Sequence, residues 1–188
     1  MLEVGCDHGP GGDNDPGLTF VEARTHFGAW CIVSSPLILS HDTTNDTISD
    51  EIWPIISNTE AIAIDQAWAG ESGTLFAAST TELTITSYIA AQLGTNDPAT
   101  TSTINVGAWQ EWSKKLSDTS AAVLLMNNDA VAQTVTLTFN QIPTFTGVSD
   151  GTSFSLRSVW DHEDLGSFTG SWTVTLDSHD SAFLVVSL

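Results

Sequence analysis

The sequence predicts an α/β part joined to an all-β part: the last part of a (β/α)8 barrel followed by an antiparallel β-sandwich. Three observations predict it. Up to about residue 70, apolar residues recur at helical spacing between short, wholly apolar runs. Beyond it, Thr, Val, Leu and Trp alternate with polar residues between turn clusters. The leading part also holds only about two of the eight strand–helix units of a closed barrel. The expected domains are therefore a barrel remnant over 1–70 and a sandwich over 71–188.

Met1 to Val4 reads as the end of a strand closed by Gly5, followed by the loop CDHGPGGDNDPGL. Thr19-Phe20-Val21-Glu22 has capping-box spacing, so a helix starts there. Phe20, Ala23, Phe27, Trp30 and Cys31 fall on one face of it, and Pro36 is expected to stop it. Leu37-Ile38-Leu39 reads as a buried parallel strand covered on both faces. Ile48, Ile52, Ile55 and Ile56 make a second helical stripe that Pro54 should kink or shorten. Ala61 to Ile64 is one more short apolar run. Strands are then expected at Thr74–Ala78, Leu83–Ala90, Ile104–Trp112, Ala121–Asn127, Thr134–Asn140 and Phe154–Trp160. Trp172–Leu188 completes the set, split near Ser178-His179-Asp180, with a surface loop at 94–103. The cleanest alternation is Thr134 to Phe139, one face polar and the other apolar. A two-unit piece of parallel sheet leaves an open edge, which needs a covering partner.

Composition removes whole classes of function. The 188 residues carry 23 acidic and 4 basic side chains, a net charge of −19. Four cations cannot neutralise a phosphate backbone, so no nucleic acid is expected as partner. An anionic membrane repels such a surface, and no apolar run approaches the ~20 residues of a span. A hydrophobic fraction of 41% with seven Trp excludes a disordered chain. The opening MLEVGCDHG has no basic flank or apolar run of signal length, so no signal peptide is expected in this chain. Asn45-Asp46-Thr47 is a glycosylation sequon, used only in a secretory pathway.

Each cluster of chemically capable side chains reads as structural. Asp13 and Asp15, with Asp7 and Glu3, are the carboxylates nearest a barrel mouth, but they sit in an acid-rich, solvated loop. Asp13-Asn14-Asp15 lacks the remaining ligand positions of a calcium loop. His8, His26, His41, His162 and His179 show no metal-ligand pairing, so neither metal nor cofactor is expected. Cys6 lies at the top of a strand–helix unit and Cys31 about 18 Å down the helix, so two free thiols are expected. Trp109 and Trp112, three apart, cannot share a strand face, while Trp30, Trp160 and Trp172 read as core rather than a sugar platform.

Five segments carry a resemblance. MLEVG, EARTHFGAWCIVSSPLILSHD and EAIAIDQAWAG resemble the end of the catalytic barrel of glycoside hydrolase family 27. This is the family of α-galactosidases and α-N-acetylgalactosaminidases. WQEWSKKLSDTSAAVLLMNND and VWDHEDLGSFTGSWTVTLDSHDSAFLVVSL resemble its C-terminal β-sandwich. The resemblance implies a retaining hydrolase whose two catalytic Asp residues lie on earlier barrel strands, before the position of Met1. No catalytic residue transfers to this chain; Met1 alone matches a substrate contact, an apolar residue at the barrel mouth. Cys6 and Asp65 replace residues that are usually Asn in the family, Ala67 replaces Asp, and the loop from Cys6 to Leu18 is longer. The resemblance further implies a secreted or lysosomal/vacuolar location. The expected role is structural: the chain pairs with the missing barrel segment, and meets an α-galactoside only when the barrel is completed. The alternative is a non-catalytic extracellular structural or carbohydrate-binding protein that pairs with another chain at the open edge.

Overall fold

The computed structural model describes residues 2–9, 16–89 and 100–188. Three helices lead: α1 (Phe20–Ile32), α2 (Asp46–Ile56) and α3 (Thr59–Gln66). Ten strands follow: β1 (Thr74–Ala78), β2 (Glu82–Ile89), β3 (Thr100–Gly107), β4 (Trp109–Lys115), β5 (Ser120–Asn127), β6 (Gln133–Thr138), β7 (Ser153–Ser158), β8 (Glu163–Thr169), β9 (Ser171–Leu176) and β10 (Ser181–Ser187).

The capping box forms as the sequence predicts. The Thr19 hydroxyl accepts from Glu22 N at 3.3 Å, and the Thr19 amide donates to the Glu22 carboxylate at 2.9 Å. Two donors that a helix start leaves free are thus satisfied reciprocally. α1 ends at Ile32, four residues before Pro36, through Val33 and a left-handed Ser34 at φ 56°. Its buried residues are Ala23, Thr25, Phe27, Gly28, Cys31 and Ile32, whereas Phe20 is exposed, a correction to the single-face reading. The helix is buried on two sides because it is the middle layer, between α2 and α3 and the sheet. A Cβ on Gly28 would come within 3.0 Å of both Leu124 and Trp160, so a glycine lets the helix lie this close to the sheet.

Leu2 forms a parallel bridge with Leu39, and its amide donates to the Ile38 carbonyl at 3.0 Å. Leu2 is fully buried, but Ile38 and Leu39 are 56% and 39% exposed. The expected covering of this segment on both faces is therefore not found among the described residues. α2 turns Ile52 and Ile55 inward and continues through Pro54, which sits in its last turn. The run Ala61 to Ile64 is helical, in α3, because Asn58 caps it.

Six strands form one sheet, in the order β1-β4-β5-β10-β7-β8, with every pairing antiparallel, and β2 and β3 pair apart from it. A two-stranded layer of β6 and β9 faces one side of it. Val123, Leu125, Leu184 and Val186 pack into that layer with Val135, Leu137 and Phe145. Ala122, Leu124 and Phe183 point the other way, into the core shared with α1. Central strands β5 and β10 are thus buried on both faces, which explains their unbroken apolar runs. Each large side chain buried there contributes about 1.5–3 kcal/mol. The polar face of β6 meets β9 through Thr134–Thr175 and Thr136–Thr173 hydroxyl pairs at 3.1 and 2.9 Å.

Two expectations about strands change. The run Ile104–Trp112 is broken at Ala108, whose amide bonds the Thr81 carbonyl, so β3 and β4 belong to different sheets. β8 escapes sequence reading because it is an edge strand with mostly exposed, polar residues and little alternation. The predicted strand end at Ala90 and residues 94–99 of the expected loop lie outside the described residues, whereas 100–103 are not loop but the start of β3.

Candidate functional site

Two places in the chain are built to hold other parts together: the seam between the helices and the sheet, and the open edge at Leu2 and Leu39. The seam is polar as well as apolar. Lys114 on β4 is 1% exposed, and its ammonium donates to the carbonyls of Ile64 and Asp65, the latter at 3.0 Å. These carbonyls end α3 and have no helical partner, so a strand cation caps the helix. Burial lowers the Lys114 pKa, partly opposed by the nearby Asp65 carboxylate. Burial likewise raises Asp65, whose Oδ1 is enclosed without a hydrogen bond.

Asn58 works at the other end of α3. Its Oδ1 accepts from Glu60 N and Ala61 N at 3.0 Å each, and its Nδ2 donates to the Val159 carbonyl at 2.9 Å. One side chain thus caps the helix and ties it to the sheet. Next to it Arg157 grips Glu60 in a fork, at 2.8 and 2.7 Å, and also reaches Asp164 at 2.9 Å. His162 Nδ1 lies 2.9 Å from the same Glu60 carboxylate. The guanidinium bond is the main cause that holds Glu60 down at about 2.

At the far end Arg24 of α1 clamps Asp180, with Nη2 2.6 and 2.7 Å from the two carboxylate oxygens. The Thr25 hydroxyl shares hydrogen bonds with the His179 carbonyl and the Ser181 hydroxyl, at 3.0 and 2.9 Å. The Gly73 amide donates to the Ile32 carbonyl at 2.9 Å, joining the start of the strands to the end of α1. A Cβ on Gly73 would collide with that carbonyl.

The chain has four Lys and Arg in all. Arg24, Lys114 and Arg157 are the three that bind across the seam; Lys115 pairs locally with Asp118 at 2.6 Å. In so acidic a chain, this placement marks the seam as the main polar construction of the molecule.

The other expected residues are placed as follows. Met1, Asp13 and Asp15 lie outside the described residues. Asp7 is exposed, and its carbonyl accepts from Gly17 N at 3.1 Å, closing the base of the long loop. His26 accepts from the Glu3 amide at 3.2 Å, and burial lowers its pKa. His8, His41, His162 and His179 are not gathered with it; among the described residues no three His, Cys, Asp or Glu side chains could share a metal ion. Cys6 and Cys31 are free thiols, as expected; Cys31 is buried in α1 and Cys6 lies 3.4 Å from the Ser40 hydroxyl. Trp109 packs into the sandwich core and Trp112 into the seam, on opposite faces. Trp30 and Trp160 join the seam core and Trp172 the sandwich core.

Sequence reasoning missed Lys114, Asn58, Glu60, Arg157, Arg24 and Asp180. Asn58 could have been found, since an Asn before Thr-Glu and an apolar run is a helix-start signal. The cations gave only their scarcity as a clue.

The family description "Alpha galactosidase C-terminal beta sandwich domain" matches residues 106–186. Alpha-galactosidase 3 of Arabidopsis thaliana is 31% identical over 188 residues, covering 95% of this chain and 36% of that protein. An alpha-galactosidase of Cyamopsis tetragonoloba is 28% identical, over 95% of this chain and 38% of its own length. The crystal structure of alpha-galactosidase I from Mortierella vinacea is similar with a TM-score of 0.69 at 24% identity, over 90% of this chain and 36% of that one. A Saccharomyces cerevisiae α-galactosidase solved with raffinose gives 0.69 at 18% identity, over 98% and 45%. The two structures share the fold of this chain. The chain spans little more than a third of the length of the curated relatives named here.

Proposed function

The chain carries the C-terminal portion of glycoside hydrolase family 27, the α-galactosidase family, and we propose that it acts as a scaffold in such an enzyme. Its strand ends and helices complete a (β/α)8 barrel, and its sandwich docks on that barrel. The junction between the two lies near residue 70.

The seam carries this reading. Three of the four cations, a double-duty Asn58 and a shared apolar core fix α1 and α3 to the sheet. A rigid seam of this kind fixes the position of a barrel edge. The edge itself is present in part: Leu2 and Leu39 are bridged, and Ile38 and Leu39 are exposed. The partner is the earlier barrel segment, supplied in the same polypeptide or as another chain.

Catalysis belongs to that partner segment. Retaining hydrolysis of a glycoside needs two carboxyl groups about 5–5.5 Å apart, one nucleophile and one acid/base. The family resemblance puts both on earlier barrel strands. Met1 would supply an apolar contact to the sugar at the barrel mouth once the barrel is closed. The compartment follows the enzyme it serves, outside the cell or in a lysosome or vacuole.

Assay of the purified 188-residue chain on an aryl α-galactoside tests the proposal. No turnover is expected from the chain alone, and turnover is expected when a family barrel segment ending before the Met1 position is fused to it. Hydrolysis by the chain alone, abolished by Asp13→Asn or Asp15→Asn, would refute the scaffold reading.

A further inference from the structure

We propose that Asn45 is the acceptor of an N-linked oligosaccharide, and that its position lets the glycan attach without loss of the α2 cap. The sequence holds one acceptor tripeptide, Asn45-Asp46-Thr47, with a hydroxyl residue at the third position and no proline between.

The side-chain geometry separates the two ends of the amide. Asn45 Oδ1 accepts from Ile48 N at 3.3 Å and thereby caps α2. Its Nδ2, the atom that would carry the sugar, has no hydrogen-bond partner among the described residues. Asn58, the other asparagine cap, differs: its Nδ2 is held by the Val159 carbonyl. N-glycosylation replaces one hydrogen of Nδ2 and leaves Oδ1 an amide acceptor, so cap and glycan coexist on Asn45.

The surroundings are open. Asp42, Thr43, Thr44, Asp46 and Thr47 are exposed, and the Thr47 hydroxyl has no partner among the described residues. The inward residues of α2, Ile52 and Ile55, begin two turns later. Asn45 also follows Leu39 by only six residues, which places it at the carboxyl end of the parallel pair. A glycan there stands beyond the strand end, not between α2 and a strand added at the open edge. The modification and barrel completion are therefore compatible, and neither depends on the other.

The transfer balances simply. Nδ2 attacks the anomeric carbon of an oligosaccharide carried on a lipid pyrophosphate in the secretory lumen. The new C–N bond forms as the C–O bond to pyrophosphate breaks, the lipid pyrophosphate leaves with the electron pair, and Nδ2 gives up one proton.

The test is secretion of the full 188-residue chain from yeast behind an added leader, with peptide mapping before and after enzymatic deglycosylation. One glycan on Asn45 is expected, absent from both Thr47→Ala and Asn45→Asp. Asp at position 45 still accepts from Ile48 N, so that variant keeps its cap and separates loss of the sugar from loss of the fold. If little chain is secreted, the microsomal chain is mapped in the same way, because transfer occurs in that compartment. Unmodified Asn45 in the lumenal chain, secreted or microsomal, overturns the proposal.

Discussion

The ammonium of Lys114, near the end of β4, donates to the main-chain carbonyl of Asp65 at the end of α3, 3.0 Å away. It also holds the Ile64 carbonyl, so two residues about fifty positions apart close one end of the seam. Removing a buried cation that satisfies two helix-end carbonyls leaves both of them stranded.

Lys114→Ala should therefore destabilise the chain by about 2–4 kcal/mol, through the lost bonds and the unsatisfied carbonyls. Lys114→Met fills the same space without a charge to desolvate and should recover part of that loss. Urea unfolding of the three proteins decides it. Equal midpoints and slopes for all three would mean that the bonds add nothing to the seam.

Glu111 makes a pH prediction. It lies on β4 opposite Leu125, faces the sandwich core, and is 2% exposed; burial pushes its carboxyl up from 4.5 to about 7. Between those values the folded chain keeps a proton that the unfolded chain has released. Its contribution to stability is therefore full below about 4.5, falls as pH rises to about 7, and is flat above. Glu111→Gln should raise stability at pH 8 by about 1–3 kcal/mol and do little at pH 4. Thermal denaturation at the two pH values would show a gain that is pH-independent if burial of the charge is not the cause.

Glu60 runs in the opposite direction. Arg157 and His162 hold it at about 2, so its contribution is present above the ordinary 4.5 and is lost as pH falls toward 2. Solvent screens the partly exposed Arg157, and Glu60→Gln should cost only about 1 kcal/mol at pH 7. The variant should also flatten the acid limb of the stability curve between 4.5 and 2. An unchanged acid limb would assign acid unfolding to other carboxylates.

The two thiols should behave differently. Burial, with the Asp65 carboxylate adding to it, raises Cys31 far above the usual thiol range, and the side chain is enclosed in α1. A thiol reagent should label one cysteine, Cys6, in the native chain and both in urea. Rapid native labelling of Cys31 would show that α1 separates from the sheet on that timescale.

Much of the fold was legible because its causes are local. The Thr19–Glu22 box, the Ile52 and Ile55 stripe, and the Thr134–Phe139 alternation all arise within one turn or one strand. The break at Ala108 and the edge strand β8 were not legible. Ala108 pairs with Thr81, far away in sequence, and β8 has no fully buried residue, only Leu165 and Phe168 half-buried three positions apart. The chain's acidity also hid the role of its few cations, which composition counts but cannot place.

By itself the sequence determined the succession of a helical part and a strand part, the start of α1, the free thiols and the segments that match an α-galactosidase C-terminal portion. Only the tertiary structure decided what the polar residues do. Arg24 meets Asp180 across 156 positions and Arg157 meets Glu60 across 97, and no periodicity records such distances. Folding brings those charges together by burying the α1 face on β5 and β10, so their partners are set by packing rather than by local pattern.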